Sequence, residues 1–314
     1  MQRFYNSLFL LGCFFFGLIF VTAGCDRAQG RIDFTQTQQE PAQSVHTVPS
    51  SERPLRIAFA SVMSPQGTRQ SYQVLVDYIS ERLHRPAVLL QRKTYEDLNM
   101  LLAGGDVDVA FLSTGAYASY RGMQSIELLA MAQTDESIFY HTYIIVPRDS
   151  PAQDFSDLKG QVFAFTDPLS YSGRLAVDYL LLDQHTNPES YFKRCFYTYN
   201  HDKSVWAVAN HLADGASVDS QIYEYTVKVN PHLTERVRII EVLRAAPTGP
   251  VVMRSDLSAE QKQELREIFY HMDAQSQARE AMHRVMIDQF VAPVPELYEE
   301  LRNRYDKRHH VSGD

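Results

Sequence analysis

The segment Ser170-Tyr171-Ser172-Gly173 carries the residue types an anion site needs. It follows an apolar stretch, Gln161 to Phe165, that reads as a strand, and precedes a largely apolar stretch, Arg174 to Leu182, that reads as a helix. The start of a helix presents unpaired N–H groups and the positive end of the helix dipole. Ser170 and Ser172 add hydroxyl donors, and Gly173 leaves room for a ligand to approach the main chain. Such a site needs no lysine or arginine. Plain helix capping, which serine performs equally well, explains the same residues and stays open at this point. His201, in a tyrosine-rich loop before a helix, is a further candidate donor to an oxyanion, with a surface or capping role as the alternative.

Other chemistries find little support. No G-x-S-x-G elbow surrounds a serine, and no glycine-rich phosphate loop occurs, so no catalytic residue and no cofactor are expected. The histidines lack metal-ligand spacing, and the three cysteines form no cluster. Cys195, between Arg194 and Phe196, reads as a small buried hydrophobe. The net charge of -8 and the lack of a basic block argue against nucleic acid.

The elements that must position these residues alternate. Leu55–Ala60 is a strand candidate and ends in the loop Ser61 to Gly67, which contains Ser64. Tyr72, Leu75, Val76, Ile79 and Leu83 repeat at helical spacing, and His84-Arg85-Pro86 stops them. Ala87–Leu90, a helix at Tyr95–Ala103 and a strand at Val107–Leu112 follow; the last runs into Ser113-Thr114-Gly115. Strand–helix alternation implies a mostly parallel sheet, whose ligands sit beyond the carboxyl ends of strands. Ser61, Ser64, Ser113 and Thr114 fall there. Further on, Thr142–Val146 and Val237–Val242 read as strands, Lys203–Ala213 as a helix, and the chain from Ser258 as helices returning to the first half.

The N-terminus sets the compartment. Leu8–Val21 is apolar but short for a bilayer span, and Thr22-Ala23-Gly24 precede Cys25. The layout is that of a secretory signal, residues 1–24, and the junction resembles a bacterial lipobox in which Cys25 is lipidated. Thr22 departs from the usual leucine, and an uncleaved membrane anchor is the alternative. Residues 25–53, rich in Gln, Ser, Thr and Pro, read as a tether.

Several segments together resemble the periplasmic phosphonate/phosphite-binding proteins of ABC importers. They are Gly105-Asp106-Val107-Asp108-Val109-Ala110-Phe111 with Ser113 to Tyr117, then Tyr143 to Val146, Asp157 to Gly160, and Phe165 to Gly173. His201-Asp202, Trp206 to Ala209, Asp214 to Ala216 and Ser255 to Leu257 complete the series, in family order over about residues 55 to 300. The resemblance implies an α/β, two-lobed periplasmic-binding-protein (type II) fold with a hinged cleft. Lobe 1 would be 54–143 plus 247–310, and lobe 2 would be 144–246.

Carried over residue by residue, Ser170, Tyr171, Ser172 and Gly173 match the phosphonate-cradling helix start. The bulky Tyr171 stands where a small hydroxyl residue is usual, and its ring is expected to enter the site. Thr114 and Tyr117 match a ligand-facing loop, and His201 matches a histidine that contacts the anion. Gln221 falls where aminoalkylphosphonate binders place a carboxylate, and Thr248-Gly249-Pro250 falls near the other. Asp219 is expected to point elsewhere, so a small oxyanion is favoured over an aminoalkyl ligand. The implied partners are an ABC permease and the membrane, reached through the N-terminal lipid. The alternative is a sensory subunit that presents ligand state to a membrane histidine kinase or cyclase.

Overall fold

The computed structural model describes residues 53–311. The expected signal, Cys25 and the tether through Glu52 lie outside the described residues. Among the described residues no helix is long and apolar enough to cross a membrane.

Two sheets organise the chain. The first has the order β11-β4-β10-β3-β1-β2. Its strands are β1 (Leu55–Phe59), β2 (Ala87–Gln91), β3 (Val109–Phe111), β4 (Ile126–Gln133), β10 (Pro250–Arg254) and β11 (Gln289–Val291). β1 lies parallel to β2 and β3, with Ile57 opposite both Leu89 and Val109. The remaining pairings are antiparallel, so the sheet is mixed where the alternation alone implied a parallel one. β1 is buried on both faces: Leu55, Ile57 and Phe59 join one core, while Ala58 and Ala60 join another. Helices cover both sides, which is why the strand reads as a continuous apolar run.

Helix α1 (Pro65–Arg82) begins with proline at its first turn, where no N–H is needed. It lays Tyr72, Leu75, Val76 and Ile79 on the first core. His84, with φ +50°, and Pro86 end it. Helix α2 (Tyr95–Ala103) is capped by Thr94, whose hydroxyl accepts from Asp97 N–H, and ends before Gly105 at φ +73°. Helix α3 (Thr114–Ser119) follows β3 directly, with Ser113 as its cap.

The second sheet runs β7-β6-β8-β5-β9. Its strands are β5 (Phe139–Pro147), β6 (Val162–Phe165), β7 (Arg194–Tyr197), β8 (Gly215–Asp219) and β9 (Val237–Pro247). β6 is parallel to β7 and β8, and β5 is antiparallel to β8 and β9. A turn of π-helix, Tyr171–Leu175, leads into α4 (Ala176–Leu182). Then come α5 (Pro188–Tyr191), α6 (His201–Ala209) and α7 (Ser220–Val229). Cys195 is half-buried in β7, its thiol 3.8 Å from the Pro188 carbonyl, rather than fully enclosed.

The chain leaves the first sheet between β4 and β5 and returns between β9 and β10. The two crossings lie side by side, since Phe139 pairs with Pro247 and Thr248 N–H donates to the Ile138 carbonyl. Helices α8 (Ala259–Tyr270) and α9 (Ser276–His283) then pack Leu265, Ile268, Phe269, Ala278 and Met282 on the first core. Helix α10 (Pro295–Val311) places Tyr298 and Leu301 on the opposite face of that sheet.

Candidate ligand-binding site

The carboxyl ends of β1 and β3 face the start of the π turn and the N-termini of α6 and α7. The cleft between them holds about 820 Å³ of empty space, part of it continuous with solvent. Ser170, Ser172, His201, Gln221, Thr114, Ser113, Tyr95, Tyr140 and Asp219 contribute its polar lining. No lysine or arginine lines it among the described residues.

Ser170 ends the loop after β6 and caps the π turn. Its hydroxyl accepts from Gly173 N–H at 3.0 Å and lies 3.3 Å from His201 Nε2. Capping is thus shown for Ser170, and the same residue lines the cleft. The i+5 bond from Leu175 N–H to the Ser170 carbonyl gives the turn its π width. Ser172 is 1 % exposed, and its hydroxyl has no satisfied hydrogen bond. It comes near enough to Tyr140 to stabilise that residue's phenolate slightly, without forming a sound bond. A buried unpaired hydroxyl is uncommon because it forfeits a hydrogen bond, which makes Ser172 a candidate donor to a ligand atom.

His201 opens α6 and is 2 % exposed. The Asp219 main-chain N–H donates to its Nδ1 at 3.0 Å. A nitrogen that accepts cannot carry the proton, so the neutral ring holds its proton on Nε2, which faces Ser170 and the cleft. Burial pushes its pKa down to about 3, so it acts as a neutral donor throughout the physiological range.

Two tyrosines also line the cleft; Tyr140 is among the tyrosines whose place near strand ends marks them as able to close over a ligand, whereas Tyr95 carries no such signal. Tyr95, the first residue of α2, has a buried hydroxyl with no partner. Tyr140 in β5 donates to Thr114 Oγ1 at 3.3 Å. Burial raises both phenols far out of the physiological range, so both remain protonated donors. Tyr95 was legible only as a helix start; its spacing from the serines, 75 residues or more, carries no periodic signal.

Other expected residues are placed differently. Thr114 lines the cleft, but its hydroxyl donates to the Pro247 carbonyl at 2.8 Å and so pins the return crossing. Tyr117 does not reach the cleft. It sits one helical turn below Thr114, edge-on to Tyr298 of α10 at 5.2 Å. Ser64 lies outside the lining; it precedes α1, and its N–H donates to Asp202 Oδ1. The Tyr171 ring does not enter the site either. It turns into the core, 6.5 Å from Tyr140 and 6.3 Å from Tyr179 between ring centres. Gly173 is required by packing, because a Cβ there would lie 2.5 Å from Thr166 Cβ, and its N–H is taken by the Ser170 hydroxyl. Gln221 faces the cleft.

Asp219 corrects the expectation most. It ends β8 and caps α7, with Oδ1 accepting from the N–H groups of Gln221 at 2.8 Å and Ile222 at 3.3 Å. The carboxyl lines the cleft instead of pointing away. Burial, aided by Glu224, pushes its pKa up to about 7 despite the two amides.

The two sides of the cleft touch. His201 N–H donates to the Val62 carbonyl at 3.0 Å, Asn200 Nδ2 to the Ser61 carbonyl at 3.0 Å, and Tyr95 N–H to Asp167 Oδ2 at 3.1 Å. Gly115 of α3 comes so near the loop before the π turn that a Cβ would lie 2.1 Å from the Leu169 carbonyl oxygen.

The family described as "ABC transporter, phosphonate, periplasmic substrate-binding protein" matches residues 57–298. The chain belongs to that family. Its members are binding components of transporters, not enzymes. Among curated relatives, the phosphonates-binding periplasmic protein of Escherichia coli K12 is 23 % identical over 244 residues, covering 74 % of this chain and 70 % of the relative. The binding component of a Pseudomonas aeruginosa ABC phosphonate transporter superposes with a TM-score of 0.73 at 21 % identity, covering 81 % and 88 % of the two chains. A Prochlorococcus marinus protein solved with methylphosphonate gives 0.72 at 18 % identity, covering 81 % and 98 %. These likenesses agree with the two-sheet architecture and show the type II binding-protein fold.

Proposed function

We propose that this phosphonate-family protein is a lipid-anchored receptor that holds a phosphorus oxyanion in its cleft and delivers it to an ABC permease. The observation that carries the ligand class is the gathering of neutral donors in the lining of one cleft that no lysine or arginine enters among the described residues. Ser172 and Tyr95 hydroxyls lack partners, His201 Nε2–H faces Ser170, and the first N–H groups of the π turn have no helical partner. Tetrahedral oxyanions take many short donors, and charge-assisted hydrogen bonds to them are stronger than neutral ones. The methylphosphonate bound to the Prochlorococcus marinus protein and the name of the Escherichia coli relative support phosphonate, with phosphite and phosphate in the same class.

Residues 54–143 with 247–310 form one lobe in this reading, and 144–246 form the other. They hinge at the paired crossings near Phe139 and Pro247, and the ligand is enclosed as the cleft shuts. Cys25 carries the lipid. Replacing Cys25 with serine should move the protein from the membrane to the soluble fraction, and unchanged membrane retention would remove the lipid claim. Titration calorimetry with methylphosphonate, phosphite and phosphate tests the ligand class, and absence of heat and of thermal stabilisation with all three would overturn it. The sensory alternative shares this cleft and is favoured by Gln221 at its wall. A kinase or cyclase gene beside this one, in place of permease and ATPase genes, would select it.

A further inference from the structure

The cleft gathers donors for an anion and yet contains a carboxyl group. Asp219 Oδ1 is committed to two main-chain amides, and no hydrogen bond reaches Oδ2 among the described residues. The groups that face it are Tyr95 from α2, Tyr140 and Tyr143 from β5, His201 from α6 and Glu224 from its own helix. The phenols are protonated, the histidine is neutral, and the glutamate adds like charge. No cation lines the cleft to balance a second negative charge. A bound oxyanion would thus sit beside an ionised carboxylate in a poorly solvated space, which repels it.

We infer that Asp219 binds its ligand as a carboxylic acid, with a proton from solvent on Oδ2 donated to a ligand oxygen, so that anion capture is coupled to proton uptake at this one residue. The inference rests on the oxyanion reading and deepens it. The acid is within reach of neutral pH, because burial raises its pKa to about 7. An anion at its side raises that value further by linkage. The proton both removes the repelling charge and supplies a donor. The device selects ligands with a hydrogen-bond acceptor at that point. A ligand with its own ammonium group there needs no proton, because the ionised carboxylate then becomes its partner.

The test compares the intact protein with Asp219→Asn. Asparagine keeps an oxygen for the α7 cap and offers Nδ2–H where the acid would offer O–H. Methylphosphonate binding is measured by calorimetry at pH 6, 7, 8 and 9, in buffers of different ionisation enthalpy. The ligand's own second ionisation falls in the same range and can differ between the two complexes, so the Asp219 carboxyl ¹³C resonance in the methylphosphonate complex at pH 8 is recorded beside the calorimetry to place the proton on Asp219. Above pH 7 the intact protein should lose affinity relative to Asp219→Asn by about tenfold per pH unit, and should take up close to one more proton on binding at pH 8. Equal proton uptake by the two proteins overturns the inference and leaves the oxyanion reading intact. No binding of any phosphorus oxyanion by the intact protein at any pH overturns that reading itself. Should the variant not fold, the carboxyl ¹³C resonance of Asp219 in the intact protein decides. A protonated shift in the methylphosphonate complex at pH 8 supports the inference, and an ionised shift defeats it.

Discussion

Asp108 and Asp219 are carboxyl groups set into the two halves of the molecule, and their surroundings are opposite. Asp108, with 1 % of its side chain exposed, lies between β1 and β10 and meets Arg53, Arg56 and Arg254 at 3.2 Å each. It also accepts the Arg56 main-chain N–H at 2.9 Å. Asp219 meets amides, a neutral ring and phenols, and no guanidinium. The first arrangement is a fixed charge balance that holds strand ends together. The second leaves a carboxyl without a counter-charge, which a proton can neutralise. The first carboxyl is held ionised by the chain itself, and the second is left free to change its charge.

The same substitution at both sites should separate them. Asp108→Asn leaves three arginines facing one another and should lower stability by about 3–5 kcal/mol, towards the lower figure because the guanidiniums are partly exposed. Asp219→Asn at pH 8 should leave stability unchanged or raised, since it removes a carboxylate held without a cation. Urea denaturation of both variants measures this, and equal losses would erase the contrast.

The pH dependence of stability sharpens it next. His201 has its folded pKa depressed, so the stability it contributes is present above its unfolded pKa of 6.5 and is lost as pH falls towards 3. Asp219 has its folded pKa raised from 3.8 to about 7, so its contribution is full below 3.8 and is lost as pH rises through 7. Between pH 4 and 6.5 the two slopes oppose. Asp219→Asn should expose the histidine slope, a loss of about 1.4 kcal/mol per unit of acidification relative to the intact protein. His201→Asn, which keeps an acceptor near the Nδ1 position, should expose the reverse slope. The other carboxylates are common to all three proteins, and parallel profiles would contradict both assignments.

Smaller effects concern the cradle. Ser172→Ala should weaken methylphosphonate binding by about 1.5–3 kcal/mol, because the lost bond is to a charged group. Folding should be little affected, since the hydroxyl has no hydrogen-bond partner among the described residues. Smallest is Tyr171→Phe, whose ring lies in the core. Calorimetry should find its affinity unchanged, and a clear loss would return the ring to the cleft.

The sequence disclosed what local rules govern. The start of α2, the fall of Ser113 and Thr114 after β3, and the Ser170 cap follow from apolar periodicity and capping chemistry over a few residues. β4, β7, β10 and β11 were not legible: the apolar run Leu128–Ala132 in β4 does not separate a strand from a buried helix, and β7, β10 and β11 span five residues or fewer. Side-chain direction was not legible either. Tyr117 and Tyr171 follow the right motif but turn inward, since α10 and α4 cover them. Asp219 needed the register of β8 against β5 before its carboxyl could be aimed at the cleft.

Gly115 sets a tight limit on the seam between α3 and the loop before the π turn. Its missing methyl is what lets α3 rest against the Leu169 carbonyl. One added carbon would act as a wedge at that seam, leaving every donor that lines the cleft chemically intact. If the cleft shuts as proposed, capture and presentation depend on different atoms: a permease that reads the shut silhouette would be denied its signal by a residue outside the lining.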